Sequence, residues 1–333
     1  MSGHAAFTSA LGPSITRYLA LKEALGRAYA GERRVFEHVD RFLARQQRGT
    51  SDLTTDSFAQ WSLTLQHLSS GVRRNRMRVV RNFCLYRRRT DPSCFVPDSV
   101  QFPPEHQRVR PHIFSEEEIV RVLSTVDGLR GVTRSPVQRE VFRLAIVLLF
   151  TAGLRRGELV RLTIGDYDSE RKTLLIRASK FHKSRLVPLS MDAAHEVDAY
   201  LAIRRARRRP SAPGTPLLWS GYRDDGAYSG GGLGWGIRML LRRTGIRTSG
   251  GSTPRVHDLR HSFAVNALLR WYRAGKDVQA KLPFLSAYMG HVSIVSTAYY
   301  LPFVEALANA ASERFARHCG TLITASSLPG GKP

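Results

Sequence analysis

Cysteine is scarce in this chain. Its three thiols, Cys84, Cys94 and Cys319, show no CxxC spacing and are too few for a disulfide framework or a zinc site, so a reducing compartment is expected. No apolar run approaches the roughly 18 residues of a membrane-spanning helix. The opening MSGHAAFTSALGPSITRYL lacks the charged and apolar regions of a signal peptide. These absences lead us to expect a soluble, cytoplasmic, nucleoid-associated protein rather than a membrane protein. The Gly-Gly-Gly in SGYRDDGAYSGGGLGWG is followed by no Gly-Lys-Ser/Thr, which excludes a triphosphate-binding loop, and the stretch reads as a plain loop. Internal repeats and low-complexity tracts are absent too. Acid is short as well: 27 Asp and Glu face 51 Lys and Arg, a formal net charge of +24.

That excess concentrates polyanions around the protein, so nucleic acid is the first partner to consider and an anionic membrane the second. With 333 residues and 42% hydrophobic content, the chain is long enough for two domains. Apolar spacing predicts one helix over residues 14 to 48, weakened at Gly26 and Gly31. A second should follow Thr55 and stop at Ser69-Ser70-Gly71, and a third should span Arg73 to Arg88. The third puts Met77, Val80 and Cys84 on one stripe and Arg74, Arg78 and Arg81 on another. Residues 73 to 89 hold eight arginines and no acid. Like charges on one helix repel, and a phosphate backbone relieves the repulsion, so Arg74, Arg78, Arg81 and Arg88 are candidate DNA contacts. Five prolines between 90 and 111 mark an interdomain linker. The expected division is a helical DNA-binding domain over 1–100, a Pro-rich linker over 101–111, a second domain over 112–318 and a flexible tail over 319–333.

The second domain should open at a capping box, Ser115 with Glu118. Val141 to Phe150 reads as a buried helix. Gly153 then allows a turn into a fresh helix, which places Arg155 at a helix start, where backbone N–H groups favour an anion, and carries Glu158. Residues 173–177 and 185–189 read as strands with Lys180 at the hairpin tip between them. A helix over 192–209 and another bearing Arg238, Arg242, Arg243 and Arg247 follow. The stretch from His257 to Tyr300 offers His257, Arg260, His291 and Tyr300 with no carboxylate cluster. Such a set suits a phosphodiester anion rather than a metal ion or a sugar, so neither metal nor cofactor is expected.

These motifs together resemble the tyrosine recombinases of the phage integrase family. TAGLRRGEL is similar to the family's first-arginine box, ASKFHKSRLVPLS to its lysine hairpin, HDLRHSF to its His-x-x-Arg box and MGHVSIVSTAYY to its Gly-His and nucleophile box. The boxes stand in family order over residues 112–318, and the basic helical region 14–90 resembles the family's core-binding domain. The resemblance implies a mainly α fold with a small antiparallel β-sheet, built as a two-domain DNA clamp. It also implies site-specific cleavage and rejoining of double-stranded DNA through a 3′-phosphotyrosine, by a homo-tetramer, with accessory recombinases as possible partners. Arg155, Arg260 and His291 would hold the scissile phosphate, Lys180 would protonate the leaving 5′ oxygen, and His257 would take the tyrosine proton or hold the phosphate. Glu158 would orient its neighbours. In the family the nucleophile lies nine residues after the box histidine, which here selects Tyr300 over Tyr299. A type IB topoisomerase would use the same residues as a monomer, and a non-catalytic DNA-binding derivative would have lost them. Residues 303–318 would form a helix that docks on a neighbouring subunit or packs on its own domain.

Overall fold

The computed structural model describes residues 6–27, 29–46, 52–104, 110–130, 133–177, 184–291, 293 and 295–298. It divides into two compact units, residues 1–109 and 110–333. The first unit contains α1 (Gly12–Ala24), α2 (Ala30–Arg45), α3 (Thr55–Leu63) and α4 (Ser70–Arg87). Its core is aromatic. Tyr18, Phe36 and Phe83 meet edge to face with ring centres 5.4–5.8 Å apart, and Trp61 is fully buried beside them in the same cluster.

Residues 14–48 are two helices, not the one expected. The backbone turns left-handed at Gly26 (φ 74°), where Gly26 N–H donates to Glu23 O and Arg27 N–H to Lys22 O, a pairing that closes a helix end. The second helix also ends earlier than expected, at Leu63. Ser69-Ser70-Gly71 opens α4 instead of closing α3.

Along α4 the expected apolar stripe is buried at Met77, Val80 and Cys84. Three of the candidate DNA-binding arginines bond main-chain carbonyls just beyond the helix: Arg74 Nη1 to Pro103 O at 2.7 Å, Arg81 Nε to Pro97 O at 3.0 Å and Arg88 Nε to Cys94 O at 3.3 Å. Arg78 bonds Asn75 Oδ1 at 2.8 Å. These neutral acceptors orient the guanidinium groups without cancelling their charge. Arg87, by contrast, is neutralised by Asp52. Cys94 and Phe102 are buried within this unit, so the proline-rich stretch begins as packed structure.

The second unit begins with α5 (Glu116–Asp127), capped reciprocally by Ser115 and Glu118 as expected. α6 (Gln138–Thr151) is its central buried helix and α7 (Arg156–Leu159) is a single turn. The strands β1 (Tyr167–Asp168), β2 (Thr173–Ile176) and β3 (Arg185–Pro188) form an antiparallel sheet in that order, with Ile176 opposite Arg185. β1 was not anticipated, because two residues are too few to show alternation. Next come α8 (Met191–Ala206), α9 (Gly230–Arg243), α10 (Val256–Arg273), α11 (Val278–Met289) and α12 (Val295–Ala298). The mainly α architecture with a small sheet is thus as expected. Arg247 lies beyond α9. Among the described residues no helix is long and apolar enough to cross a membrane.

The Gly-Gly-Gly stretch is not a loop: it is the first turn of α9, where Ser229 Oγ accepts from Gly232 N at 2.9 Å. Tertiary packing overrides glycine's poor helix propensity. A Cβ on Gly236 would come within 2.3 Å of the Phe142 ring, and one on Gly234 within 2.4 Å of Arg156 Nη1. The small residues let α9 lie close against α6 and α7.

Gly236→Ala should therefore destabilise the second unit by about 1–3 kcal/mol through overpacking. Gly231→Ala, whose Cβ would approach nothing closer than Ser229 Oγ at 3.9 Å, should be neutral or mildly stabilising. Thermal unfolding of the two variants checks this, and equal melting temperatures would contradict the packing role of Gly236.

Candidate active site

The chain leaves α6 through a left-handed turn at Gly153 (φ 57°) and enters α7 with Arg155 extended at its cap position. Arg155 N–H donates to Glu158 Oε2 at 2.9 Å, and Arg155 Nη1 to Glu158 Oε1 at 2.7 Å. Glu158 is 3% exposed. Its two oxygens also accept from Arg185 Nη1 and Nη2, both at 3.0 Å, while Arg260 Nη1 stands 3.9 Å from Oε2. Three guanidinium groups thus surround one carboxylate. Burial alone would raise the Glu158 pKa, but the Arg185 bonds and the Arg155 backbone N–H outweigh it and hold the group at about 2.

The same three arginines share a second anchor, the C-terminal end of α11. Arg185 Nε donates to Tyr288 O at 2.7 Å, Arg260 Nη2 to Met289 O at 2.8 Å and Arg155 Nη2 to Gly290 O at 2.7 Å. The last carbonyls of a helix lack intrahelical donors and carry the negative end of its dipole, so three consecutive ones make a natural cation seat. Gly290 ends α11 at φ 67°. A Cβ there would sit 2.7 Å from Arg185 Nη1 and 3.3 Å from Arg155 Nη1. The turn delivers His291, whose Nδ1 lies 2.8 Å from Thr297 Oγ1 on α12.

The His-x-x-Arg box occupies the first turn of α10. Asp258, 1% exposed, accepts from the Arg255 N–H and from Arg255 Nη2, both at 2.8 Å, and so caps the helix start. Ser262 Oγ donates to Asp258 O at 2.8 Å and accepts from Phe114 N–H at 2.9 Å. Arg260 is 1% exposed, and its Nη1 donates to Gly153 O. His257 packs edge-on against His261 with ring centres 4.5 Å apart. Desolvation and then Arg260 push the His257 pKa down to about 4. Desolvation, Arg260 and Arg155 push His291 to about 3. Both imidazoles are therefore neutral near pH 7.

Of the residues expected from sequence, the structure unites Arg155, Glu158, Arg260 and His291, with His257 one turn before Arg260 on the same helix. Lys180 and Tyr300 fall within 178–183 and 299–333, outside the described residues, as do residues 303–318. Sequence reasoning missed Arg185 and Asp258. Arg185 lies inside the ASKFHKSRLVPLS stretch, but strand spacing does not tell an inward arginine from a solvated one. Asp258 follows Arg255 by three residues, as Glu158 follows Arg155, and that repeated capping pattern was a usable signal. Three guanidiniums, one carboxylate and two neutral imidazoles leave a surplus of donors and positive charge, an arrangement matched to a tetrahedral or pentacoordinate phosphorus anion. Among the described residues no group of three His, Cys, Asp or Glu is placed to hold a metal ion.

Residues 113–303 match the model of the phage integrase family. The chain is 32% identical over 306 residues to y4rB, a candidate integrase/recombinase of Sinorhizobium fredii, covering 91% of this chain and 96% of that one. It is 33% identical over 209 residues to the tyrosine recombinase XerD of Mycobacterium leprae, covering 62% of this chain and 61% of XerD. Among solved structures, the Tn1549 transposon integrase in complex with transposon right end DNA shares the fold with a TM-score of 0.60. That match covers 91% of this chain and 98% of the other at 18% identity.

The depressed histidine pKa values have a definite sign. An unfolded chain would protonate these imidazoles below about 6.5, whereas the folded site keeps them neutral to about 4 and about 3. They therefore contribute stability that is present above pH 6.5 and is lost as pH falls through that window. In imidazole NMR of the DNA-free protein, His291 should stay neutral at pH 5. A normal titration near pH 6.5 would contradict the geometry.

Proposed function

The chain belongs to the phage integrase family, and we propose from that membership and from its arginine cluster that it acts as a site-specific recombinase. It cuts and rejoins DNA strands by tyrosine-mediated phosphoryl transfer. The observation that carries this reading is the convergence of Arg155, Arg260 and His291 beside a single carboxylate. Arg155 and Arg260 would hold the nonbridging oxygens of the scissile phosphate, which gain charge in the transition state, because a guanidinium carries five N–H donors and no acceptor. The Nδ1–Thr297 contact admits a neutral His291 with its hydrogen on Nε2, the tautomer that would donate to the phosphate as a third contact.

Tyr300 Oη would attack phosphorus, forming the Oη–P bond as the P–O5′ bond breaks. Its proton would pass to His257, which is held neutral and able to accept, while Lys180 would protonate the departing 5′ oxygen. The products are a 3′-phosphotyrosine and a free 5′ hydroxyl. Attack by a 5′ hydroxyl on that ester reverses the bonds and rejoins the strand, so the ester conserves the bond energy for rejoining. Glu158 orients the arginines and does not take part in proton transfer.

The first unit supplies the sequence-independent grip. Arg74, Arg78, Arg81 and Arg88 are the proposed phosphate contacts, and each unit would contact double-stranded DNA at a recombination site. Exchange between two duplexes calls for a homo-tetramer, with accessory recombinases as further partners, acting on intracellular DNA.

Tyr300→Phe should abolish the covalent protein–DNA adduct while duplex binding persists, and Tyr299→Phe should retain the adduct. Denaturing gels of a nicked suicide duplex read both, and an adduct formed by the Tyr300→Phe protein would overturn the nucleophile. Lys180→Ala should slow cleavage by roughly 10²–10⁴. A 5′-bridging phosphorothiolate should restore that variant, because a thiolate leaves without a proton, and should not restore Arg155→Ala. Equal rescue of both would remove the general-acid role from Lys180.

A further inference from the structure

Arg185 has no part in the steps above, yet it touches both anchors of the cluster. It is the first residue of β3, opposite Ile176, and its side chain is 12% exposed. Nε is committed to Tyr288 O, and Nη1 and Nη2 grip the two Glu158 oxygens. One N–H on each of its three nitrogens is thus given to a protein acceptor. We infer that Arg185 is a positioning residue of the phosphate clamp, setting Arg155 through their shared Glu158 carboxylate and setting the Gly290–His291 turn through the Tyr288 carbonyl. This inference rests on the reading of the cluster as a phosphate site.

Three features support the role. First, Glu158 Oε1 accepts from both Arg155 Nη1 and Arg185 Nη1. Arg185 thus draws off part of the carboxylate's charge, and Arg155 keeps more of its own for the phosphate. Without Arg185, Glu158 would pair with Arg155 as a simple salt bridge. Second, a third cation beside two others is repulsive, so a residue kept only for stability would be better replaced by an apolar one of similar volume. Third, the grip is a planar fork with a third bond from Nε, a geometry lysine cannot reproduce. The missing Gly290 Cβ, which would fall 2.7 Å from Arg185 Nη1, leaves room for the fork.

The test uses full-length wild-type, Arg185→Lys, Arg185→Met, Glu158→Gln and the Glu158→Gln/Arg185→Met pair. The substrate is a suicide duplex chosen by covalent capture on the wild-type protein from a random duplex library. The Arg185→Lys protein should remain folded and bind this duplex nearly as wild type, yet form the adduct about 10² more slowly, as expected of a misplaced clamp. A 5′-bridging phosphorothiolate should not rescue it, since the fault lies at the nonbridging oxygens. Because Arg185 acts through Glu158, the double variant should be about as slow as the slower single, not the product of the two. Its paired removal of opposite charges also keeps a foldable protein if Arg185→Met alone unfolds. A second readout needs no cleavage. Inorganic phosphate titrated into the DNA-free protein and followed at the His291 imidazole should bind about tenfold more weakly to Arg185→Lys, as expected when a charge-assisted contact is misaligned. If the wild type captures no duplex, the strand-cutting reading fails and the phosphate titration still decides the role of Arg185. Wild-type phosphate affinity in Arg185→Lys, wild-type adduct formation by it, or its rescue by the phosphorothiolate would each overturn the assignment.

Discussion

One buried carboxylate makes the site possible. Two guanidinium charges about 4 Å apart repel by roughly 4 kcal/mol at an effective dielectric near 20, and this site gathers three of them, one almost wholly buried. Glu158 accepts from Arg155 and Arg185 and lies 3.9 Å from Arg260, so its single negative charge screens the trio from within. The three terminal carbonyls of α11 add the negative end of a helix dipole from the other side. Together they offset enough repulsion for the arginines to stand ready before a phosphate arrives, and still leave the site electropositive. A site arranged in advance needs little rearrangement at the moment charge develops on the nonbridging oxygens.

The fold exists to bring these pieces together. Arg155 Nη2 and Gly290 O are 135 residues apart in the chain, and the segments carrying them come from α7 and α11, with β3 and α10 between. One local device is used twice to aim the functional side chains. An extended arginine caps a helix whose third residue is an acid, Arg155 with Glu158 at α7 and Arg255 with Asp258 at α10. In the first case the capping arginine is itself functional. In the second the cap fixes the turn on which His257 and Arg260 ride. Gly153 and Gly290 supply the left-handed turns that let the chain leave α6 and α11 at the angles the arginines require.

Much of this was legible in the sequence because it is local. The capping box at Ser115, the buried helix of α6, the β2–β3 hairpin and the placement of Arg155 at a helix start follow from spacing and turn chemistry. Illegible were features set by tertiary packing. The single helix expected over 14–48 splits because Gly26 takes a left-handed conformation that apolar periodicity does not register. The glycine-rich stretch opens α9 instead of a loop, and Gly234 and Gly236 there leave room for Arg156 and Phe142, a requirement written in α6 and α7 rather than in the glycines. Arg185 looked like one basic residue among many in a chain of net charge +24. Its role depends on Glu158 and Tyr288, 27 and 103 residues away.

The central claim is that this preformed cluster receives a transferring phosphoryl group. A crystal structure of the protein with a duplex carrying its cleavage site and orthovanadate tests it directly. The account predicts a pentacoordinate vanadium with Tyr300 Oη on its axis and guanidinium nitrogens of Arg155 and Arg260 within hydrogen-bond distance of its equatorial oxygens, while Arg185 stays on Glu158. Vanadate bound elsewhere, or Arg155 and Arg260 making no hydrogen bond to its oxygens, would contradict it.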